Sequence, residues 1–409
     1  MESPTAEPTE KDEAAPRRRR RWWIVGGVLT LLIALATTVA VTWNFASVVL
    51  MPDHHDWPLE VTVEGVKPGR IRFSDGHNSE QPGVYGLDWQ AGHAIVGPVL
   101  SEADGTVTRR LTDVRGYLVP GIHVGLDSHV YSGDPKQALG LPFRSLGVPD
   151  SLGPMPAWLV PAAAGAPSAT HQTWAIVVHG HNDNRQNDLR IAPTLRRAGL
   201  TSLLISYRND LGAPESPDGL YHLGETECLD LQAAVRYALA NGAQRVVLVG
   251  YSMGGELITQ FMQRSRLSRD VAALVLDAPV LDWRSLIEFN SEQIGLPGFL
   301  GMPVEWMIDA RANPDWDSLD ALKHPEDFHL PILLFHSTED DLVPISTSDD
   351  FATELPHWVT YYLVPTVGHT ESWNLNPHLY DRRLKRFLLQ NATFRDTHPG
   401  SEITRARSS

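Results

Sequence analysis

Three residues of this chain, Ser252, Asp340 and His369, have the types and the order needed for acyl transfer by a hydroxyl nucleophile. Ser252 lies in Gly250-Tyr251-Ser252-Met253-Gly254, directly after the apolar run Val246-Val247-Leu248-Val249. Such a run predicts a strand buried on both faces, as in a parallel sheet. A serine between two glycines at the end of that strand, with Glu256 to Phe261 suited to a helix behind it, predicts a sharp strand-to-helix turn holding the hydroxyl above the sheet edge. A serine hydroxyl is a poor nucleophile at neutral pH; it needs a base within reach and a third group to orient that base.

In a parallel sheet those groups come from loops at the carboxyl ends of other strands. Two downstream loops qualify. Ile332–Phe335 is followed by His336-Ser337-Thr338-Glu339-Asp340-Asp341-Leu342-Val343-Pro344, and Thr360–Val364 by Pro365-Thr366-Val367-Gly368-His369. His369 is the expected base and Asp340 the expected acid, with Glu339, Asp341 and Asp277 as competing carboxylates. The order Ser, Asp, His is the one this topology produces. A tetrahedral intermediate also needs two N–H donors. The amide of Met253 is one; the loop Val178-His179-Gly180-His181 supplies the other, expected at His181. His179 and His181 lack a third ligand nearby, so hydrogen bonding within the loop is expected of them rather than zinc. Arg185 is expected to brace the same loop through Asp183, Asp188 or a carbonyl. No cofactor and no metal are called for.

These residues need a framework. Strand-like segments at Trp174–Val178, Ser202–Tyr207, Val246–Val249, Ala272–Leu276, Ile332–Phe335 and Thr360–Val364 alternate with helical ones at Ile191–Ala198, Leu229–Ala240 and Leu379–Leu389. This predicts an α/β fold with a mostly parallel sheet over residues 156–390. The ~55 residues between Asp277 and Ile332 exceed a simple crossover and predict a helical cap at about 283–328. Residues 58–153 show short alternating runs and turn residues, predicting a small β-rich accessory region without a helix of any length and with no assigned function. His123 and His129 in it are expected to be packing or surface residues.

The N-terminal part is of another kind. Five arginines, Arg17 to Arg21, abut Trp22-Trp23, and no charged residue occurs from Trp22 to Pro52. About 20 apolar residues cross a bilayer, so 22–43 is expected to be a membrane anchor with its basic end cytoplasmic and the rest of the chain outside. A cleaved signal peptide is the rival, since Ala34-Leu35-Ala36 and Thr38-Val39-Ala40 offer small residues. Residues 1–21 are expected to be a disordered basic tail, Asn44 to Trp57 a short connector, and 393–409 flexible. The net charge of −15 argues against nucleic acid as a partner. Cys228, the single cysteine, excludes an intrachain disulfide and is expected in the core.

Together, His179-Gly180, Gly250-Tyr251-Ser252-Met253-Gly254-Gly255, Asp340 with Val343-Pro344, and Gly368-His369 resemble the α/β-hydrolase superfamily over about residues 156–390. Tyr207-Arg208-Asn209-Asp210, Leu276-Asp277-Ala278-Pro279 and Gly368-His369-Thr370-Glu371-Ser372-Trp373-Asn374 resemble an actinobacterial group of membrane-anchored, prolyl-oligopeptidase-like hydrolases. The resemblance implies the fold, the triad Ser252, Asp340 and His369, and cofactor-free hydrolysis of an acyl bond; a small-molecule or lipid-like acyl substrate is expected. A peptidase of the same fold and a non-catalytic binding protein with an occluded site are the alternatives. The acyl group, the choice between ester and amide, and the oligomeric state have no signature in the sequence.

Overall fold

The computed structural model describes residues 14–54, 58–76, 78–166, 170, 172–295 and 301–392, with side chains from residue 22 onward. Helix α1 (Ala14–Leu50) opens the described chain and is 37 residues long. It starts inside the stretch expected to be a disordered tail and continues through half of the expected connector, to Leu50. The segment Trp22–Leu50 is long and apolar enough to cross a membrane. Residues 1–13 and 393–409, for which disorder is expected, lie outside the described residues, as do 296–300 of the expected cap.

Six antiparallel strands, β1 (Val61–Lys67), β2 (Arg70–Ser74), β3 (Tyr85–Trp89), β4 (Gly92–Ala103), β5 (Thr106–Arg115) and β6 (His123–Asp127), close into a barrel in the order β1-β2-β5-β4-β3-β6. Alternation along them sends Val61, Val63, Ile71, Phe73, Leu87, Val96 and Val107 into a core of their own. The short helix α2 (Pro135–Leu139), capped by Asp134, interrupts the region expected to lack helices.

The second sheet has eight strands: β7 (Arg144–Val148), β8 (Met155–Val160), β9 (Thr173–Val178), β10 (Thr201–Ile205), β11 (Arg245–Tyr251), β12 (Val271–Asp277), β13 (Ile332–Ser337) and β14 (Val359–Val364). Their order is β14-β13-β12-β11-β9-β10-β8-β7. The six strands from β14 to β10 are parallel; β8 and β7 join antiparallel at one edge. β7 falls within the 58–153 stretch but belongs to this sheet, so the sheet begins earlier than residue 156. β7 is largely exposed, with only Val148 buried, and has no apolar run to mark it as part of this sheet in the sequence.

The central strands β9, β11 and β12 are almost wholly buried because helices cover both faces. One face packs against α4 (Cys228–Ala240), α5 (Met253–Arg264) and α8 (Ile345–Glu354), and Cys228 lies in this core. The other packs against α3 (Ala192–Arg197) and α10 (Pro377–Asn391). Between β12 and β13 lies the helical cap, with α6 (Trp283–Gln293), N-capped by Asp282, and α7 (Gly301–Ala312). A short helix α9 (Ser372–Leu375) precedes α10.

Candidate active site

Ser252 lies between β11 and α5 with φ 52° and ψ −122°, a conformation that residues other than glycine rarely hold. The turn is that tight because three backbones meet there. A Cβ on Gly254 would lie 2.3 Å from the Val178 carbonyl oxygen, and one on Gly250 2.6 Å from that of Gly254. The glycines bracketing Ser252 are therefore steric necessities. The Ser252 amide donates to the Asp277 carbonyl at 3.1 Å, tying the elbow to the end of β12.

Asp340 and His369 arrive from the loops after β13 and β14. His369 Nδ1 donates to Asp340 Oδ2 at 2.8 Å. The other oxygen of Asp340 accepts the Leu342 and Val343 amides at 3.0 and 2.8 Å, which fixes the carboxylate plane. His336, completely buried at the end of β13, lies 3.2 Å from Asp340 Oδ2 as well. Burial alone would raise the Asp340 carboxyl; the charge of His369 and the hydrogen bonds from His336 and His369 override it and hold it far below the usual range. Burial likewise pushes the His369 imidazolium down, and the Asp340 charge overcomes it, so His369 titrates above its ordinary value. Glu339 and Asp341 are exposed, and Asp277 accepts from Ser372 Oγ at 2.8 Å instead of pairing with His369. Among the competing carboxylates, Asp340 alone is bonded to His369.

His369 Nε2 is buried and has no hydrogen-bond partner among the described residues. No hydrogen bond joins Ser252 and His369 among the described residues.

The loop after β9 approaches Ser252 closely: a Cβ on Gly180 would lie 3.0 Å from Ser252 Cβ and 3.6 Å from Oγ. Its backbone is held from behind. The Gly180 carbonyl accepts from Tyr207 Oη at 2.5 Å and from His179 Nδ1 at 3.0 Å. His179 Nε2 in turn bonds Asp210 at 2.9 Å, with its ring stacked on Tyr207. Burial opposes the charged imidazole, but Asp210 outweighs it and raises His179 to about 9. With both ring nitrogens donating, His179 is an imidazolium that pins the Gly180–His181 peptide. Because that peptide is planar and trans, a carbonyl held on one side aims the His181 N–H to the other.

The side chains of His179 and His181 go to separate partners. His181 Nε2 donates to the Val49 carbonyl in the last turn of α1 at 2.9 Å, and burial lowers its pKa to about 4. Asn182 Oδ1 accepts the Asp53 amide at 2.9 Å, and the Tyr221 amide bonds Leu50 at 2.8 Å. Arg185 makes no hydrogen bond to Asp183, Asp188 or a carbonyl among the described residues, although Asp210 and Asp188 act on it electrostatically. Its guanidinium lies over the Trp158 ring at 4.8 Å, because the edge of the sheet offers it an aromatic face. His129 bridges Asp127 of the barrel and Asp183, each at 3.0 Å, while His123 lies 3.3 Å from Thr62 Oγ1.

The barrel supports the His369 loop, a connection invisible in the sequence. Tyr85 Oη donates to Glu371 Oε2 at 2.9 Å, and the same oxygen accepts the Gly368 amide at 2.9 Å. Asn374 donates to the Val84 and Ser128 carbonyls, and its own carbonyl accepts the Val84 amide. Arg190, buried beneath the site, donates to the Thr370 carbonyl at 2.9 Å and to Asn374 at 2.8 Å. A cleft of about 720 Å³ opens between the barrel and the loop after β9, lined among others by Asp88, Trp89, Asp127, Asp134, Trp158 and Asp183; Ser252 is not among its walls.

Comparison with known proteins agrees with this architecture. Residues 217–392, which include Ser252, Asp340 and His369, match the prolyl oligopeptidase family, and residues 62–127 of the barrel match a family described as a domain of unknown function (DUF8805). An uncharacterized protein of Mycobacterium tuberculosis, present in strains H37Rv and CDC 1551, is 24% identical over 240 residues, covering 58% of this chain and 75% of that protein. In fold the chain is similar to an esterase of Pyrococcus furiosus, with a TM-score of 0.51 at 17% identity over 64% of this chain and 95% of the esterase. A parallel sheet with a strained serine elbow and a helical cap defines an α/β-hydrolase. The chain has that fold, and the fold together with the family match over residues 217–392 supports a serine hydrolase.

Proposed function

We propose that the protein is a membrane-anchored, extracytoplasmic hydrolase of acyl esters working through Ser252, His369 and Asp340. The observation that carries this reading is the His369 imidazole, oriented by Asp340 on one nitrogen and buried without a partner on the other, in a loop on the same sheet edge as the strained serine. In the proposed reaction Ser252 Oγ attacks the substrate carbonyl while its proton passes to His369 Nε2. The carbonyl oxygen becomes an oxyanion accepting the Met253 and His181 amides. Collapse of the intermediate breaks the bond to the leaving alcohol, which takes the proton from His369. A water deprotonated by the same nitrogen then attacks the acyl-enzyme, and the acid leaves with Ser252 restored. Asp340 holds the tautomer and stabilises the imidazolium; no cofactor enters.

Support for the anchor is the uncharged stretch from Trp22 to Pro52 with five arginines before it, which also favours a cytoplasmic N-terminus. A small or lipid-like acyl substrate fits such a location. Ser252→Ala is expected to abolish labelling by a fluorophosphonate while leaving the circular dichroism spectrum unchanged; persistent labelling would overturn the assignment. Peptide cleavage is the second reading, favoured by the family match over 217–392 and by the aspartate-lined cleft beside the His181 loop, a place suited to a substrate ammonium group. Comparing p-nitrophenyl esters with aminoacyl anilides separates the two.

A further inference from the structure

The cap helix α7 and the end of α1 form one unit. Thr38, Thr42, Phe45, Ala46, Ser47, Val49 and Leu50 make a buried or half-buried stripe on α1, whose other residues from Trp22 onward are exposed. Arg311 of α7 donates to Ser47 Oγ at 2.8 Å, and its guanidinium lies over the Trp43 ring at 4.7 Å.

The length of α1 sets the depth of this contact. At 1.5 Å per residue, the 29 residues Trp22–Leu50 extend for ~44 Å, against ~30 Å of hydrocarbon. Some ~9 residues are surplus to the crossing. Counted from Trp22, that surplus is the part of α1 that carries most of the buried stripe. Trp43 then falls at the membrane–water interface, where tryptophan is favoured, and Arg311 is fixed at that level.

The outer face of α7 has the chemistry of that location. Met302, Trp306 and Ala310 recur every fourth residue and are all exposed, Trp306 at 68%. The charged residues of the helix are engaged within the protein. Glu305 pairs with Arg284 at 3.1 Å, Asp309 accepts from the Trp316 indole, and Arg311 is held by Ser47. The exposed stripe is therefore uncharged, with an amphipathic indole at its centre. Trp306 is five residues from Arg311, ~7.5 Å along the axis, a distance comparable with the headgroup layer of ~5–8 Å.

We infer that the Met302–Trp306–Ala310 face of α7 is a second membrane contact, seated in the headgroup layer of the leaflet where α1 emerges. The occupant is the lipid surface itself. This rests on the anchored-hydrolase reading and narrows its substrate class to acyl lipids entering from the bilayer. The cap that meets the lipid also meets the site. Asn290 and Gln293 of α6 donate to the Leu342 and Asp341 carbonyls in the loop of Asp340.

The test uses the full chain reconstituted in phosphatidylcholine–phosphatidylglycerol vesicles. Trp306→Cys and, on the barrel, Val114→Cys carry a nitroxide; Cys228 is buried and does not compete for the label. The label at 306 is expected to collide more with lipid-soluble oxygen than with an aqueous nickel chelate, and the label at 114 to do the reverse. Equal water exposure at both positions would overturn the inference, and so would protection of position 306 from both probes, the mark of a protein partner. Trp306→Glu is expected to lower turnover of a long-chain ester embedded in the vesicles about tenfold without changing fluorophosphonate labelling in detergent. Equal turnover of the embedded ester would again overturn it. The collision measurement does not depend on catalysis, so failure of the hydrolase reading shows separately as absent labelling.

Discussion

Tyr85→Phe tests whether the barrel is part of the catalytic apparatus or only attached to it. The substitution removes one oxygen and keeps the ring that lies 5.2 Å beneath the Arg109 guanidinium. What is lost is the hydrogen bond to Glu371, a buried carboxyl left with the Gly368 amide as its donor. Burial already raises the Glu371 pKa, and removing the Tyr85 hydroxyl raises it further. A hydrogen bond to a charged group contributes about 1.5–3 kcal/mol, and Gly368 is adjacent to His369. If the whole loss appeared as displacement of His369 in the transition state, kcat would fall about 10- to 100-fold; partition into global stability reduces that. The expected outcome is a fall in kcat for a short-chain p-nitrophenyl ester with little change in KM, accompanied by a lower urea midpoint. A carboxyl with a raised folded pKa supports folding most at low pH and loses that support as pH rises through the pKa. The stability deficit of Tyr85→Phe should therefore widen from acid toward neutral pH. Unchanged kcat together with an unchanged urea midpoint would refute the coupling and leave the barrel a passenger.

The pH dependence follows from the charges around His369. In the proposed role of base it must be neutral, and Asp340 raises its pKa, so kcat/KM is expected to rise with pH through a value above 6.5. Asp340→Asn removes that charge and should move the rising limb to lower pH while lowering kcat sharply; an unmoved limb would show that another group controls it. His181 behaves in the opposite sense. Its pKa is depressed to about 4, so it contributes stability above pH 6.5 that is lost as pH falls toward 4. His181→Gln keeps a donor for the Val49 carbonyl without the titration, and denaturant midpoints between pH 6.5 and 4 should fall less than in the parent chain.

The sequence by itself was sufficient for features that depend on neighbours along the chain. The strand-to-helix turn at Ser252 is one: the apolar run, the bracketing glycines and the helix-compatible segment after Ser252 are contiguous. The parallel sheet and the Ser, Asp, His order followed from periodicity and from loops placed after strands. The apolar helix was legible from the absence of charge, although its ends were not, since Ala14–Arg21 and Asn44–Leu50 carry no strong stop signal.

Contacts between distant residues were decided only by the tertiary structure. Glu339, Asp340 and Asp341 are consecutive acids, and only the folded loop shows which one turns inward to His369. The clamp of Tyr207, His179 and Asp210 on the Gly180 carbonyl joins two strand ends about 30 residues apart. The support of the His369 loop by Tyr85 spans 286 residues. Arg185 lies over the Trp158 ring, and His181 bonds the end of α1. Hydrogen bonds of this kind depend on angstrom-scale positions set by packing of the whole chain. Alternation and spacing determine which face a residue takes, whereas its partner there depends on what the rest of the fold brings opposite it.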